Sequence, residues 1–279
     1  MRSVRGFELT VPDEHPRAHS LQARERIVKA AEEGLLADSA LIAHGRGEAF
    51  DYLLGEKTSE PAEDAIKHAL KVLVDATRPV ISVNGNTVAL AGREALVLAA
   101  MLGASVEVNL FYRTPERIQK LVQTLENMRG EIIENGDIPP SLQGRLHHDE
   151  WRMNVQSIPI LGLEPDGVIP GLKGARANVC NDGILTADVI LVPLEDGDRC
   201  EALVAMGKSV INVDLNPLSR SARMATITIV DEVKRCISAM ITMESEEKHL
   251  LEWDNSANLA ASLLVMTSAL ERMHEGGGK

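Results

Sequence analysis

The sequence predicts an α/β protein built on a mostly parallel sheet with helices on both faces. Three observations carry this. Short apolar runs rich in Val and Ile recur along the chain, segments of helical period separate them, and the composition is that of a packed globule, with 44% apolar and 25% charged residues.

The elements follow in order. Ser20 is placed to cap a helix over 21–36, where Leu21, Ile27, Val28, Ala31 and Leu35 form an apolar stripe. Further helices are predicted over 48–54 and 61–74. The period then changes, and 79–84 (PVISVN) reads as a buried strand. A helix over 86–102 and a strand over 105–110 come next. Thr114-Pro115-Glu116 is a helix start with a hydroxyl cap, a proline and a first-turn acid; that helix should run to about residue 128, with a short strand at 131–134. Segment 135–183 is rich in Gly and Pro and reads as an irregular excursion packed on the core. Regular alternation resumes with strands at 187–192, 209–213 and 226–230, and a helix over 199–206. Asp231 is expected to cap a helix over 232–243, and a long helix should cover 246–274. The chain thus divides into an N-terminal helical segment (1–78), an α/β core (79–243) and a C-terminal helix (244–279).

Net charge and composition narrow the function classes. A formal charge of −12 argues against broad nucleic-acid binding or an acidic membrane surface. No apolar run is long enough to span a bilayer, and the first residues lack a signal-peptide core. Cys180, Cys200 and Cys236 fit neither a disulfide framework nor a zinc site, which points to a cytoplasmic protein. The G-x-G-x-x-G and P-loop signatures are missing.

The residues with chemical potential cluster after the predicted strands, where open α/β sheets bind ligands. The segment from Asp214 to Arg223 (DLNPLSRSAR) offers Asp214 and Asn216 to a ribose or base, and Ser219, Arg220, Ser221 and Arg223 to phosphate. In the segment from Leu41 to Glu56 (LIAHGRGEAFDYLLGE), Gly45 and Gly47 flank Arg46 just before a predicted helix, an arrangement suited to backbone capture of phosphate. His44 beside it can donate a hydrogen bond or move a proton. Asn84 and Asn86 end the first strand, and Tyr112 and Arg113 end the second. Arg17 and Arg24 stand before and within the first helix. Glu195, Asp196 and Asp198 can hold Mg²⁺ or a substrate ammonium group. His147-His148-Asp149 reads as a solvated loop.

Five of these segments, from Leu41 to Glu56, Pro79 to Leu90 (PVISVNGNTVAL), Asn109 to Thr114 (NLFYRT), Pro193 to Arg199 (PLEDGDR) and Asp214 to Arg223, together resemble the archaeal phosphopantothenate synthetases, also called 4-phosphopantoate–β-alanine ligases. The resemblance implies a Rossmann-like core, a homodimer, and an ATP-dependent ligation of 4-phosphopantoate to β-alanine through an acyl-adenylate, releasing AMP and pyrophosphate, in coenzyme A biosynthesis. It places nucleotide contacts at Arg24, Arg46, Asp214, Leu215, Asn216, Arg220 and Ser221, with Glu232 and Val233 similarly placed. His44, Arg46 and Arg220 are expected at the reacting phosphates. Arg17, Asn84, Asn86, Arg113, Asp196 and Asp198 are candidates for the acid and amine substrates, with Asp196 and Asp198 also candidates for Mg²⁺. Two other readings fit the fold class: an NAD(P)-dependent oxidoreductase and a non-catalytic nucleotide sensor.

Overall fold

The computed structural model describes residues 12, 14–194, 196–243 and 252–276. Six parallel strands form one sheet: β1 (Pro79–Val83), β2 (Ser105–Val108), β3 (Ile160–Leu161), β4 (Val189–Pro193), β5 (Ser209–Val213) and β6 (Ile227–Ile229). Their spatial order is β3-β2-β1-β4-β5-β6, and every neighbouring pair runs parallel. This is the order of a doubly wound Rossmann-like sheet, and it reverses direction between β1 and β4. All five residues of β1 and of β4 are buried, as strands covered on both faces must be.

Alternation along the strands sends side chains to two cores. Ile81, Val83, Val106, Val108, Leu191 and Ile211 face a large cluster with α1 (Ala18–Glu32), α3 (Glu60–Asp75), α4 (Gly85–Leu102), α5 (Pro115–Asn135) and α9 (Val233–Thr242). Val80, Ile190, Val192 and Val210 face a second cluster that includes Ile169, Val179 and Leu203. A third cluster, with Leu54, Leu215, Val230 and Leu259, joins α2 (Asp38–Leu54) to the loop after β5 and to α10 (Asn255–Thr267).

Several expectations need correction. The second helix begins at Asp38, ten residues before the predicted start, so the Gly45-Arg46-Gly47 segment lies inside it. Each glycine costs a helix about 1 kcal/mol relative to alanine, and burial of Leu54 with the bridge from Asp51 to Arg235 holds the far end in place. Ser20 does not cap α1, which starts at Ala18 without a side-chain cap; its hydroxyl instead donates to Glu48. The predicted strand at 131–134 is the last turn of α5, whose apolar stripe continues to the buried Ile132. Segment 135–183 is partly regular: it holds α6 (His148–Gln156) with the fully buried Trp151, the edge strand β3 and a hairpin of two-residue strands. His147 and His148 therefore open a helix rather than a loop. Glu232, not Asp231, caps α9, accepting from the N–H groups of Lys234 and Arg235. Part of the predicted 246–274 helix lies outside the described residues; the rest is α10 followed, across Ser268, by α11 (Ala269–Gly276).

Candidate active site

A cleft of about 270 Å³ opens at the carboxyl ends of β1, β2, β4, β5 and β6, over the point where the strand order reverses. It is roofed by α2, which presents Ala40, His44, Gly47, Glu48 and Asp51 to it at helical spacing. Of the residues singled out from sequence for chemistry, His44, Gly47, Asn84, Asn86, Tyr112, Asp196, Leu215, Glu232 and Val233 line this cleft. Arg17, Arg24, Arg46, Arg113, Asp198, Asp214, Asn216, Arg220 and Ser221 stand outside its lining.

The loop after β5 is built by its own side chains. The Asp214 carboxylate accepts from the Asn216 N–H at 2.9 Å and the Ser219 hydroxyl at 2.5 Å. Asn216 accepts from the Leu218 N–H, and Ser219 caps the short helix α8 (Arg220–Met224) by accepting from the Ala222 N–H. Burial holds the Asp214 carboxyl above its ordinary value, against the bonds from Ser219 and Asn216 and the charge of Arg46. Ser221 is buried, and Arg220 is exposed and paired with Asp198 and Glu201. Arg220 lies across Gly197, where an added Cβ would sit 2.8 Å from its side chain. Arg24 and Arg17 both bind Glu48, and Arg17 also reaches Glu56.

Placing Gly45-Arg46-Gly47 mid-helix changes its chemistry. The backbone N–H groups there serve the helix, so only side chains can meet a ligand. Arg46 is exposed. His44 is half-buried, and its Nε2 has no hydrogen-bond partner among the described residues. Burial lowers its pKa below the ordinary 6.5, despite Glu48 and Glu232 nearby. Burial therefore favours the neutral imidazole, with Nε2 unpartnered among the described residues.

The floor beside it is a buried ion network that sequence reading missed. Arg235 of α9 bridges Asp51 of α2 at 2.7 Å and Asp231, and Thr58 donates to Asp231 at 2.7 Å. Burial works against the Arg235 charge, but the two carboxylates hold it well above the usual guanidinium value. This network ties the roof helix to the end of β6.

Across the cleft, Asn84 joins β1 to β4. Its amide donates to the carbonyls of Pro193 and Leu194, while its oxygen caps α4 by accepting from the Thr87 N–H. Gly85 follows because the chain at Leu35 and Leu36 crosses so near: a Cβ there would meet Leu36 at 2.7 Å and the Leu35 carbonyl at 2.9 Å. Asn86 donates to the Ala40 carbonyl. Arg113 does not reach the cleft lining; it donates to the Gly162 carbonyl and sits near the buried Glu107. Asp196 and Asp198 are both engaged by Arg176. Among the described residues no group of three or more His, Cys, Asp or Glu side chains is placed to hold a metal ion. The aspartates serve arginines, so the side chains present do not fit a protein-held Mg²⁺; Glu195 lies outside the described residues.

Arg117, Arg176 and Arg199 line the cleft and were not singled out as ligands. Arg117 carried a usable signal, since it follows Thr114-Pro115 by less than one turn and so sits at a helix start after a strand. Arg176 had none: it comes from the Gly- and Pro-rich excursion.

The family model for phosphopantothenate/pantothenate synthetase matches residues 61–153 and 149–269. The chain is 46% identical over 278 residues to a 4-phosphopantoate–beta-alanine ligase of Thermococcus kodakarensis, covering 96% of this chain and 97% of the relative. It is 45% identical to the ligase of that name from Thermococcus onnurineus, covering 96% of each. It is 39% identical to that of Methanosarcina mazei, covering 94% of this chain and 96% of the relative. With a doubly wound sheet, a cleft at its reversal point and matches along nearly its whole length, the chain belongs to the phosphopantothenate/pantothenate synthetase family.

Proposed function

We propose that this enzyme is a 4-phosphopantoate–β-alanine ligase of coenzyme A biosynthesis, consuming ATP and releasing AMP and pyrophosphate. The observation that carries the reading is the self-braced loop after β5 standing beside a cleft at the sheet reversal, in a chain 46% identical to a ligase of that name. The relatives named above are ligases, neither oxidoreductases nor nucleotide sensors.

The nucleotide lies along the β5 and β6 ends, with Asp214, Leu215, Asn216, Ser221, Glu232 and Val233 around ribose and base. Arg24, Arg46 and Arg220 are exposed at this rim and exchange solvent or carboxylate partners for phosphate oxygens. The acid substrate lies toward β1 and α4, near Asn84 and Asn86. Its carboxylate oxygen attacks the α-phosphorus, and the bond to pyrophosphate breaks. The β-alanine nitrogen then attacks the acyl carbon, and AMP leaves with that carboxylate oxygen. Positioning and charge stabilisation supply the rate. Glu232, a carboxylate at the cleft outside the arginine pairs described above, attracts the incoming ammonium group. It must lose a proton before attack, and neutral His44 is the acceptor at hand. Magnesium arrives with the nucleotide phosphates.

The enzyme works as a homodimer in the cytoplasm. Ile42, Tyr52 and Leu53 on the outer side of α2 and Leu264 on α10 are exposed apolar side chains suited to a subunit contact, and sedimentation velocity reads the mass. Cys180, Cys200 and Cys236 are buried and form no disulfide, which suits a reducing compartment, and no described helix is long and apolar enough to cross a membrane.

The test of the activity is pyrophosphate release from MgATP. Sustained release should require both 4-phosphopantoate and β-alanine, with AMP and 4'-phosphopantothenate as products. Release without the amine, or ADP in place of AMP, would refute the reaction.

A further inference from the structure

We infer that the C-terminal helix α10 positions the nucleotide loop. Its Asn255 holds the short helix α8, which carries Arg220 and Ser221, against the edge of the sheet. The inference rests on the ligase reading above.

The reason lies at the edge of the sheet. β6 is the last strand in the order, so its outer side has no strand to pair with. The main-chain groups of a buried edge residue must still find partners. Thr228, the central residue of β6, is fully buried, and α10 takes both of its main-chain groups. The Thr228 N–H donates to the Asn255 side-chain oxygen at 2.7 Å, and the Asn258 amide donates to the Thr228 carbonyl at 3.1 Å. Three residues apart on a helix, the two asparagines share one face. They pair with Thr228 as the backbone of a neighbouring strand would. Asp254 caps α10 by accepting from the Ala257 N–H, which fixes where Asn255 stands.

Asn255 has a second task that Asn258 does not share. Its amide donates to the carbonyls of Ala222 and Ala225, at 2.9 and 3.2 Å, at the C-terminal end of α8. With five residues, α8 is too short to be stable alone, and its last carbonyls have no partner within it. The Thr228 hydroxyl adds a bond to the Ala222 carbonyl at 2.7 Å. At the other end Ser219 accepts from the Ala222 N–H. The Cys200 thiol of α7 (Gly197–Ala205) meets the Ser221 carbonyl at 3.6 Å. Helix α8 is therefore gripped at both ends, and α10 supplies the grip at its C-terminal end. The same helix packs Leu259 and Met266 into the cluster that holds Leu54 of α2 and Leu215 of the loop. Arg272 of α11 donates to the Leu53 carbonyl at 2.8 Å. The C-terminal segment thus joins α2, with Arg46, to α8, with Arg220.

Calorimetric titration with MgATP reads this positioning role without turnover, on the full chain and three variants. Asn255→Ala removes the bonds to α8 and the edge bond together. Asn255→Asp keeps the oxygen that the Thr228 N–H needs and puts an acid in the first turn of α10, where the helix dipole favours it. It stands as the test should Asn255→Ala fail to fold. Both should weaken ATP binding about tenfold, the equivalent of one net hydrogen bond. Their kcat and KM for 4-phosphopantoate should stay within about twofold of the unmodified enzyme. Asn258→Ala loses an edge bond but no bond to α8. It should lower the urea midpoint and leave ATP affinity within about twofold. Unchanged ATP affinity in the Asn255 variants would overturn the inference. An equal loss in Asn258→Ala would overturn it as well, reducing α10 to a general support. So would a loss in Asn255→Asp that vanishes, relative to the unmodified enzyme, at about 0.5 M salt, since that is charge repulsion. An unmodified enzyme that binds MgATP yet forms no AMP from the two substrates would remove the ligase reading, while the titrations still judge Asn255. One that binds no MgATP would remove both.

Discussion

The segment from Leu41 to Glu56 and the segment from Asp214 to Arg223 carry the same kinds of residue, yet they meet the cleft in different ways. Both mix arginine with small residues, and both read as loops shaped for phosphate. The second is a loop, closed on itself by Asp214, Asn216 and Ser219. The first is the interior of α2. Its backbone is committed to the helix, and its contribution is one face bearing His44, Glu48 and Asp51, fixed by the bridge to Arg235. Glycine and arginine mark a binding segment; whether backbone or side chain does the binding depends on where the helix begins.

Four experiments sharpen or break that contrast. The largest effect should come from Arg235→Ala, which strands two buried carboxylates between α2 and the end of β6. Breaking a buried pair in this way costs about 3–5 kcal/mol, measured by urea denaturation; a loss within about 1 kcal/mol would mean that α2 is held by packing alone. Ser219→Ala should cost about 1–2 kcal/mol by removing a helix cap. It also takes a donor from Asp214, and ATP affinity should fall about tenfold in titration, the equivalent of one net hydrogen bond. An unchanged affinity would detach the loop from the nucleotide.

The third effect is a pH slope. Burial lowers the His44 pKa in the folded state below 6.5. The unfolded chain therefore binds the proton first as pH falls. Stability present above about pH 6.5 is lost as pH falls toward the depressed folded value. His68 is shifted the same way by burial, so His44→Gln should flatten only part of the slope of unfolding free energy between about pH 7 and 5. No change in slope would show His44 to be solvated. The smallest effect belongs to Gly45→Ala. An added Cβ meets nothing within 4 Å, and alanine favours a helix by about 1 kcal/mol. Stability should rise by up to that amount, with KM for ATP unchanged. A sharp rise in KM would restore a backbone role for this segment.

The sheet was legible because buried parallel strands are short runs rich in Val and Ile, as in β1 and β5, between helices of clear period. The loop after β5 was legible because Asp, Asn and Ser at close spacing build turns locally. The start of α2 was not, because Ala37 caps it without a side-chain bond and its glycines read as breakers. Strand β3 is two residues long and carries too little pattern to detect. The cleft arginines Arg117, Arg176 and Arg199 were hidden because they come from three distant segments and meet only through the fold. Arg17 and Arg113, named from sequence as candidates for the substrates, are held by Glu48, Glu56 and the Gly162 carbonyl.

Oxygen tracing tests the account at its centre. 4-Phosphopantoate labelled with ¹⁸O in its carboxylate is turned over with ATP and β-alanine, and the products are weighed by mass spectrometry. Transfer of one ¹⁸O to AMP, with unlabelled pyrophosphate, is the predicted result, because the carboxylate attacks the α-phosphorus. Label in inorganic phosphate with ADP as product would contradict it, placing attack at the terminal phosphate and the reaction outside the acyl-adenylate route.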